Sequence, residues 1–380
     1  MAKKRSKPKK PRKDFPLTPH NNGQWCKKVS GKLRYYGTWE DPEGALQEYL
    51  RDQAGMQPRS DSCTVAEMCN EFLETKELAR DNGEIQEETF ADYTRTCKKI
   101  VKQFGRNRLV DELTPGDFRS YRKKLNEGLG LVGQLNQVNR TRIVFKFAYD
   151  EGLIDRPVRF GEAFKRPKKK ALRKQRNEQQ RSRGLRMFEA EDLRTIIDAA
   201  GVPMKAFILL GVNAGLGASD ISAMEMGHWK KNWLDYPRPK NENQRRIPLW
   251  AETVAAVQEA REKRADDKFV FLTREGKQYV RVERNPNKKD AVATRRDSVG
   301  AEFSKLLVRL KLKRPGISFY ALRHTFRTVA GETRDQQAVN AIMGHDDGSM
   351  ANVYTERISD ERLTAVTDFV HAWLWPKGKK

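Results

Sequence analysis

The hydrophobic pattern changes several times along the chain, and each pattern predicts a different kind of structure. Residues 24–29 and 32–39 look like two short strands, and Ser30-Gly31 between them fits a hairpin turn. A helix should begin at Asp41-Pro42, because Asp caps helix starts and Pro is favoured at the first helical position. We therefore expect a small β-hairpin and a helix over residues 18–55.

A second pattern, with apolar residues three and four positions apart, predicts helices over residues 63–155. Val65, Met68 and Phe72 follow this spacing behind Thr64, a capping residue with the acid Glu67 three positions later. Further helices are predicted over residues 89–104, 114–126 and 135–150.

The third pattern begins near residue 186 and mixes both spacings. Residues 206–212 form an unbroken apolar run, and strand-like pieces stand at 233–236, 246–249 and 270–272. Helices should occupy most of the rest. The predicted fold class is mainly α with small β-sheets: a helical domain and a mixed α/β domain, preceded by the hairpin unit.

Charge adds a class of partner to this picture. The chain has 75 Lys and Arg against 51 Asp and Glu, a formal net charge of +24. A surface this basic attracts polyanions, so nucleic acid is the expected partner. The sequence shows neither a long apolar run nor a signal peptide, which argues against a membrane and predicts a cytoplasmic protein on DNA.

Two basic segments divide the chain further. Residues 1–17 carry Lys, Arg and Pro without an acid before Asp14, so a disordered arm is expected. Residues 156–185 form a basic linker, whose basic run begins at Lys165 and includes Lys168, Lys169 and Lys170. Both segments are predicted to lie on DNA phosphates; the alternative is that they are solvated and touch nothing. Residues 186–375 then make the last domain.

The hairpin and the helical domain also present cations. Lys27, Lys28 and Arg34 alternate with aromatic residues along the hairpin, and two-stranded ribbons can enter a DNA major groove. Arg140 and Arg142 lie together on one predicted helix and are also expected to contact DNA. The hairpin's aromatic residues can form a small core on its other face: Trp25, Tyr35 and Trp39.

The four cysteines show no metal-binding spacing. The chain has no C-x-x-C pair and no His at zinc spacing from a cysteine, so buried thiols are expected at Cys26, Cys63, Cys69 and Cys97.

Three short motifs near the C-terminus carry candidate chemistry. Residues 319–326 read Phe-Tyr-Ala-Leu-Arg-His-Thr-Phe, and residues 342–345 read Ile-Met-Gly-His. Tyr354 follows nine residues after His345. In this order and at these distances, the motifs resemble those of the tyrosine recombinases of the phage-integrase family, over roughly residues 63–375.

The resemblance assigns roles to single residues. Arg323 and His345 match the family's catalytic Arg and His, and Tyr354 matches its nucleophile. The run 238–249 is similar to the hairpin and basic strand that carry the family's catalytic Lys, here Lys240. The family resemblance implies that double-stranded DNA is cleaved with a 3′-phosphotyrosine and that the 5′-hydroxyl of another duplex then ligates it. It also implies a tetramer on two DNA sites.

These residue types suit phosphoryl transfer without a metal or any other cofactor. An Arg fork binds phosphate oxygens, and a Tyr oxygen forms a covalent intermediate that stores the bond energy. A Lys of lowered pKa can protonate the leaving 5′ oxygen. Ordinary structural roles are the alternative: a core Tyr354, a helix cap at His345, an Arg323 paired with Glu332 or Asp335, or a solvated Lys240 on its hairpin.

Two positions depart from the family pattern. Gly217 stands where the family has its first catalytic Arg, and Asp220 stands at the position of that arginine's acidic partner. Tyr320 stands where the family usually has His or Lys. Tyr320 and the neighbouring His324 are still expected to contact DNA. Arg245 or Arg246 is the candidate to supply the missing cation.

Two functions therefore stay open, an active integrase and a degenerate relative that binds DNA in an architectural or regulatory role. The retained Tyr354, Arg323, His345 and Lys240 favour the active enzyme. A type IB topoisomerase, with similar chemistry, is disfavoured by the N-terminal hairpin unit, which resembles an arm-type DNA-binding domain.

The C-terminal run predicts one more helix. From Ser359 onward, apolar residues recur at helical spacing: Leu363, Val366, Val370, Trp373 and Leu374. This stripe packs either on its own domain or on a neighbouring protomer. The second is expected, because exposed Trp would suit a monomer poorly, and a truncation after Asp360 should then spare DNA binding but abolish higher-order complexes.

Overall fold

The computed structural model describes most of the chain. The described residues are 7–12, 14–21, 23–29, 32–53, 63–239, 242–262, 268–284, 287, 292–345 and 355–376. Lys240, Tyr354 and the predicted turn at Ser30-Gly31 lie outside them. The chain divides into two compact units, one of residues 1–78 with 96–166 and one of residues 79–95 with 167–380.

The N-terminal part of the first unit is a small antiparallel sheet and a helix. Strands β1 (Thr18–Pro19), β2 (Gln24–Val29) and β3 (Lys32–Thr38) pair in that order, and helix α1 (Pro42–Gln53) follows. Its buried core is largely aromatic: Phe15, Leu17, Trp25, Tyr36, Ala45, Leu46 and Tyr49.

Two details of this unit correct the sequence-based expectation. Phe15 and Leu17, which the prediction placed in a disordered arm, are 1% and 0% exposed and belong to the core. Tyr36 rather than Tyr35 faces inward: Tyr35 is 41% exposed and its ring packs against His20. Because Tyr36 is the register partner of Trp25, the two aromatic rings share the inner face of the sheet.

The following helices match the predicted ones within a few residues. They are α2 (Val65–Asp81), α3 (Glu87–Phe104), α4 (Pro115–Gly128) and α5 (Leu131–Asp150). Thr64 caps α2 as predicted, since its hydroxyl accepts from the Glu67 amide while the Glu67 carboxylate accepts from the Thr64 amide. Within the first unit, a cluster of aromatic rings fills the space between the helices: Phe104, Phe118, Tyr121, Phe145, Phe160 and Phe164.

The basic linker contains a helix that the apolar spacing did not predict. Helix α6 spans Lys169–Arg183, and none of its described residues is buried. Its sequence consists mainly of Lys, Arg, Gln and Glu, which favour helix by intrinsic propensity even without an apolar face.

The second unit is built around one buried helix. Helix α8 (Met204–Ala214) is buried along almost all of its length. Around it lie α7 (Ala190–Ala199), α9 (Ala218–Ser222), α10 (Ala251–Glu262), α11 (Ser298–Arg309), α12 (Tyr320–Ala330), α13 (Gln336–Met343) and α14 (Asp360–Leu374). Asn213 connects α8 to the next layer, because its amide donates to Pro248 and its oxygen accepts from Trp250 and Thr253.

Two small sheets complete the second unit. Strands β4 (Trp229–Lys230), β5 (Trp233–Asp235) and β6 (Arg246–Pro248) pair antiparallel, as do β7 (Val280–Glu283) and β8 (Thr294–Asp297). The predicted strand at 270–272 is wrong: the segment is buried, but its neighbour Phe269 makes only an isolated bridge to Glu225.

Two general properties follow from the described residues. No helix among them combines the length and the apolar character needed to cross a membrane. All four cysteines are buried free thiols, as predicted.

The C-terminal helix corrects the expectation that its stripe docks on another protomer. Leu363, Val366, Val370 and Leu374 of α14 are buried in the core of their own domain. The Trp375 ring packs against Trp250, and Arg194 donates to the Leu374 carbonyl. The helix is thus part of this domain, and truncating it removes core rather than an assembly surface.

This packing predicts a large stability loss from a single truncation within α14. Leu363→Ala removes a side chain that is 2% exposed and should lower the free energy of unfolding by about 2–5 kcal/mol, as measured by urea denaturation. Phe369→Ala is the control, because Phe369 lies on the same helix but is 40% exposed. Equal losses from the two substitutions would contradict the observed packing.

Candidate functional site

A buried arginine joins the ends of two helices in the second unit. Arg323 on α12 is 4% exposed. Its Nη1 donates to the Gly215 carbonyl at 2.6 Å, and its Nη2 donates to the Met343 carbonyl at 3.0 Å. These carbonyls stand at the C-termini of α8 and α13, where backbone acceptors lack helical partners and the helix dipole favours a cation. The acids Glu332 and Asp335, considered from the sequence as partners, are not its described acceptors; Asp335 pairs with Arg362.

His345 accepts a further hydrogen bond from this arginine. Arg323 Nη2 lies 2.6 Å from His345 Nε2. Since a guanidinium only donates, Nε2 must be the acceptor, and the ring of a neutral His345 then carries its hydrogen on Nδ1. Burial and, next, the positive charge of Arg323 lower the pKa of His345 to about 4. The imidazole is therefore neutral at pH 7.

Gly344 allows His345 to lie close to two more arginines. Its φ of +61° is a left-handed value that ends α13. A Cβ on Gly344 would lie 2.9 Å from Arg245 Cδ and 3.1 Å from Arg238 Cβ. Arg238 Nη1 also donates to the Gly344 carbonyl at 3.1 Å. Glycine is thus required both for the turn and for the approach of these side chains.

Arg245 is the most enclosed cation of the site. It is 2% exposed, it donates from Nε to the Tyr236 carbonyl at 2.9 Å, and it lies over the Tyr236 ring. Its Nη2 is 3.6 Å from the carboxylate of Asp220. Within the described part of the chain, neither Nη1 nor Nη2 has a hydrogen-bond acceptor.

Arg246, the other candidate to replace the missing arginine, is used elsewhere. It binds the carboxylates of Asp235 and Asp360 and lies over the Trp233 ring. The sequence left the choice between the two arginines open, and the structure places only Arg245 beside Asp220. Arg238 was not foreseen at all, although it stands in the same basic run of the sequence.

Position 217 has room for a larger residue. Gly217 caps α9 through its amide, which donates to Asp220 at 3.0 Å, and its φ of −87° suits any residue. Among the described residues, an added Cβ would meet only the Asp220 carboxylate, at an ordinary 3.5 Å. Neither backbone nor packing therefore demands glycine here.

Tyr320 and His324 lie one turn apart on α12. Tyr320 is 55% exposed, and its ring makes an edge contact with His324. His324 lines a cavity with Arg176 and Arg186. Burial, followed by the charge of Arg186, lowers the pKa of His324, so this ring also favours its neutral form.

The remaining predicted DNA contacts are distributed over both units. Lys168, Lys169 and Lys170 are exposed at the start of α6. In the first unit, Lys27 and Arg34 are register partners on the sheet, and Lys28 is exposed beside them. On α5, Arg142 lies over the Phe160 ring and donates to the Phe164 carbonyl, whereas Arg140 is half-buried. Their contact with DNA remains a prediction.

Comparisons with known proteins agree with the fold and with the motifs. A model of the phage integrase family matches residues 183–361. The chain is similar to a lambda integrase tetramer bound to a Holliday junction, with 16% identity, a TM-score of 0.56 and coverage of 92% of this chain and 98% of that one. No curated protein matches the sequence.

A second similar structure comes from a transposon. The Tn1549 transposon integrase in complex with transposon right end DNA has 14% identity and a TM-score of 0.53, with 82% of this chain and 100% of that chain covered. At these identities the likeness concerns the fold, and it confirms the predicted class, mainly helical with small sheets.

The burial of His345 and its contact with Arg323 predict an unusual titration of the ring. The ring signals of His345, followed by NMR in histidine-labelled protein and assigned through His345→Gln, should shift with a midpoint near pH 4. Because a protonated ring cannot accept from Arg323, the contact should break only below that pH. A midpoint near the ordinary 6.5 would show that this hydrogen bond does not form in solution.

Proposed function

We propose that this chain, whose residues 183–361 match the phage integrase family, is a site-specific DNA recombinase. It cleaves and rejoins double-stranded DNA through a 3′-phosphotyrosine. The observation that carries the proposal is the joint presence of buried Arg323, neutral His345 and buried Arg245 around one glycine turn. Such fixed donors are what a phosphodiester needs, because its transition state gains charge on the non-bridging oxygens.

The proposed chemistry exchanges one phosphorus–oxygen bond for another. The Tyr354 oxygen attacks the phosphorus, and the bond to the 5′ oxygen breaks. Tyr354 loses its proton and Lys240 delivers one to the leaving oxygen, so the step is balanced in protons. Rejoining reverses these transfers, with a 5′-hydroxyl of another duplex as the attacking group. The covalent intermediate keeps the bond energy, so the cycle consumes no cofactor.

The neighbouring residues have defined parts in this scheme. Arg323 binds a non-bridging oxygen with the N–H groups left after its contacts with two carbonyls and His345. His345 accepts from Arg323 through Nε2, which leaves the Nδ1 hydrogen to donate to phosphate. Tyr320 and His324 are proposed to contact the adjacent DNA backbone.

The other segments are proposed to hold DNA. The hairpin unit at 18–55 binds arm-type DNA sites through Lys27, Lys28 and Arg34. The helical domain at 63–155 binds next to the cleavage site through Arg140 and Arg142. The linker at 156–185 crosses phosphates, and the domain at 186–375 carries the chemistry. A homotetramer on two DNA sites is the proposed assembly, by analogy with the lambda integrase tetramer on a Holliday junction.

A second candidate function is a DNA-binding relative with lost chemistry. Gly217 and Tyr320 favour it, because each occupies a position where the family has a cationic or phosphate-binding side chain. The two candidates differ in one observable, the covalent protein–DNA adduct.

The decisive test uses a nicked suicide substrate with the native flanking DNA. The wild-type protein should form a covalent adduct that is resistant to detergent, and Tyr354→Phe should form none, because the substitution removes only the attacking oxygen. DNA affinity, measured in parallel by gel shift, should not change. An adduct with Tyr354→Phe would refute the choice of nucleophile, and no adduct with wild type would favour the degenerate relative.

The role of α6 is tested by salt dependence. Replacing Lys169 and Lys170 together by Gln should reduce the slope of log affinity against log salt by about 0.9 for each phosphate that the protein no longer neutralises. Replacing Lys230 and Lys305 by Gln changes the net charge equally at positions elsewhere in the second unit. Equal slopes for the two double variants would mean that α6 acts only through overall charge.

A further inference from the structure

We infer that Arg245 is a second phosphate-binding arginine of this site and supplies the cation that Gly217 lacks. The inference rests on the proposed function, since it takes the bound anion to be the scissile phosphate of DNA. It assigns the role to the residue immediately before strand β6, and not to helix α9.

Arg245 differs from Arg323 in how its N–H groups are paired. A buried guanidinium normally has its N–H groups accepted, because leaving them unpaired is costly. Arg323 follows this rule with two carbonyls and His345. Arg245 is 2% exposed, yet no described residue accepts from its Nη1 or Nη2. The N–H groups of a guanidinium lie in one plane at fixed positions, and two of them can donate side by side to two phosphate oxygens.

Positive charge is concentrated at the Gly344–His345 turn. Arg245, Arg323 and Arg238 surround the Gly344–His345 turn, and the charges of all three act on the His345 ring. Asp220 is the acid that pairs with Arg245, at 3.6 Å, beyond hydrogen-bond distance. A cluster of cations held this close favours binding an anion, because the anion relieves their mutual repulsion.

Positions 217 and 245 both lie beside the carboxylate of Asp220. Asp220 accepts from the Gly217 amide on one oxygen and faces Arg245 on the other. An arginine at position 217 and the arginine at position 245 would therefore approach the same acid from two elements. Arg245 thus occupies the neighbourhood that a side chain at 217 would reach.

The backbone fixes Arg245 in advance of binding. The Tyr236 carbonyl accepts from its Nε, the guanidinium lies over the Tyr236 ring, and Gly344 leaves space for its aliphatic stem. A donor held in place costs little reorganisation when charge develops on the phosphate.

The test compares adduct formation on the suicide substrate. Arg245→Gln should slow the cleavage by about 10²–10³-fold, the loss typical of one oxyanion donor, with gel-shift affinity changed by only a few-fold. Arg246→Gln is the matched control, since it removes the adjacent arginine and should leave the rate within a few-fold of wild type. Equal rates for Arg245→Gln and wild type would overturn the inference.

A neutral substrate separates phosphate binding from a structural role. With a methylphosphonate at the scissile position, one charged oxygen is absent, so the defect of Arg245→Gln should shrink to less than about tenfold. A misfolded or loosened site would stay defective on both substrates, and that result would overturn the inference.

Two double variants test the position itself. Gly217→Arg in the Arg245→Gln background should recover at least part of the cleavage, because it returns a cation to Asp220. Asp220→Asn in the same background should not recover it. Recovery with Asp220→Asn would show that Arg245 merely neutralises Asp220, and the inference would fail.

Failure of the proposed function is distinguishable from failure of this inference. If wild type forms no adduct, the recombinase proposal fails, and the binding of inorganic phosphate to the full chain decides the role of Arg245. Calorimetry should then show weaker phosphate binding for Arg245→Gln than for Arg246→Gln. Equal binding would overturn the inference.

Discussion

The hydrogen bonds of one buried guanidinium hold the candidate site together. Arg323 bonds the carbonyls that end α8 and α13 and also His345. Removing it would leave two buried carbonyls unpaired, at about 1–3 kcal/mol each. The same side chain thus fixes the helix ends and presents the positive charge. Under the proposed function, replacing Arg323 would therefore affect stability and chemistry together. Arg245 bonds a single carbonyl among the described residues, so its replacement separates these two effects more cleanly.

The sequence was most informative where spacing along one helix or turn determines the geometry. Arg323 and Gly344-His345 were found from their motifs, and the structure brings them into contact. Strand faces were harder, because adjacent residues of a strand point to opposite sides and a shift of one residue exchanges them. For this reason the sequence could not choose between Arg245 and Arg246, and it placed Tyr35 in a core that contains Tyr36. Lys240 and Tyr354 remain predictions, since they lie outside the described residues.

Partner surfaces were equally hard to deduce from a local pattern. The apolar stripe of α14 correctly predicted a buried face, but amphipathicity does not say which surface buries it, and the surface proved to be the helix's own domain. Helix α6 was not predicted, because its sequence has no apolar stripe. Its Lys, Arg and Gln residues nevertheless favour a helix by intrinsic propensity. The boundary between the predicted arm at 1–17 and the hairpin unit at 18–55 was wrong, because Phe15 and Leu17 pack into the core of that unit.

The burial of all four cysteines makes the protein well suited to site-specific fluorescent labelling. Cys26, Cys63, Cys69 and Cys97 are between 2% and 8% exposed. Burial also raises the pKa of Cys63 to about 11, so little reactive thiolate exists at neutral pH. A single cysteine introduced at an exposed position such as Phe369 would therefore outcompete the native thiols for maleimide dyes. Energy transfer between labelled copies can then report whether the chain associates with itself, while its natural core stays intact.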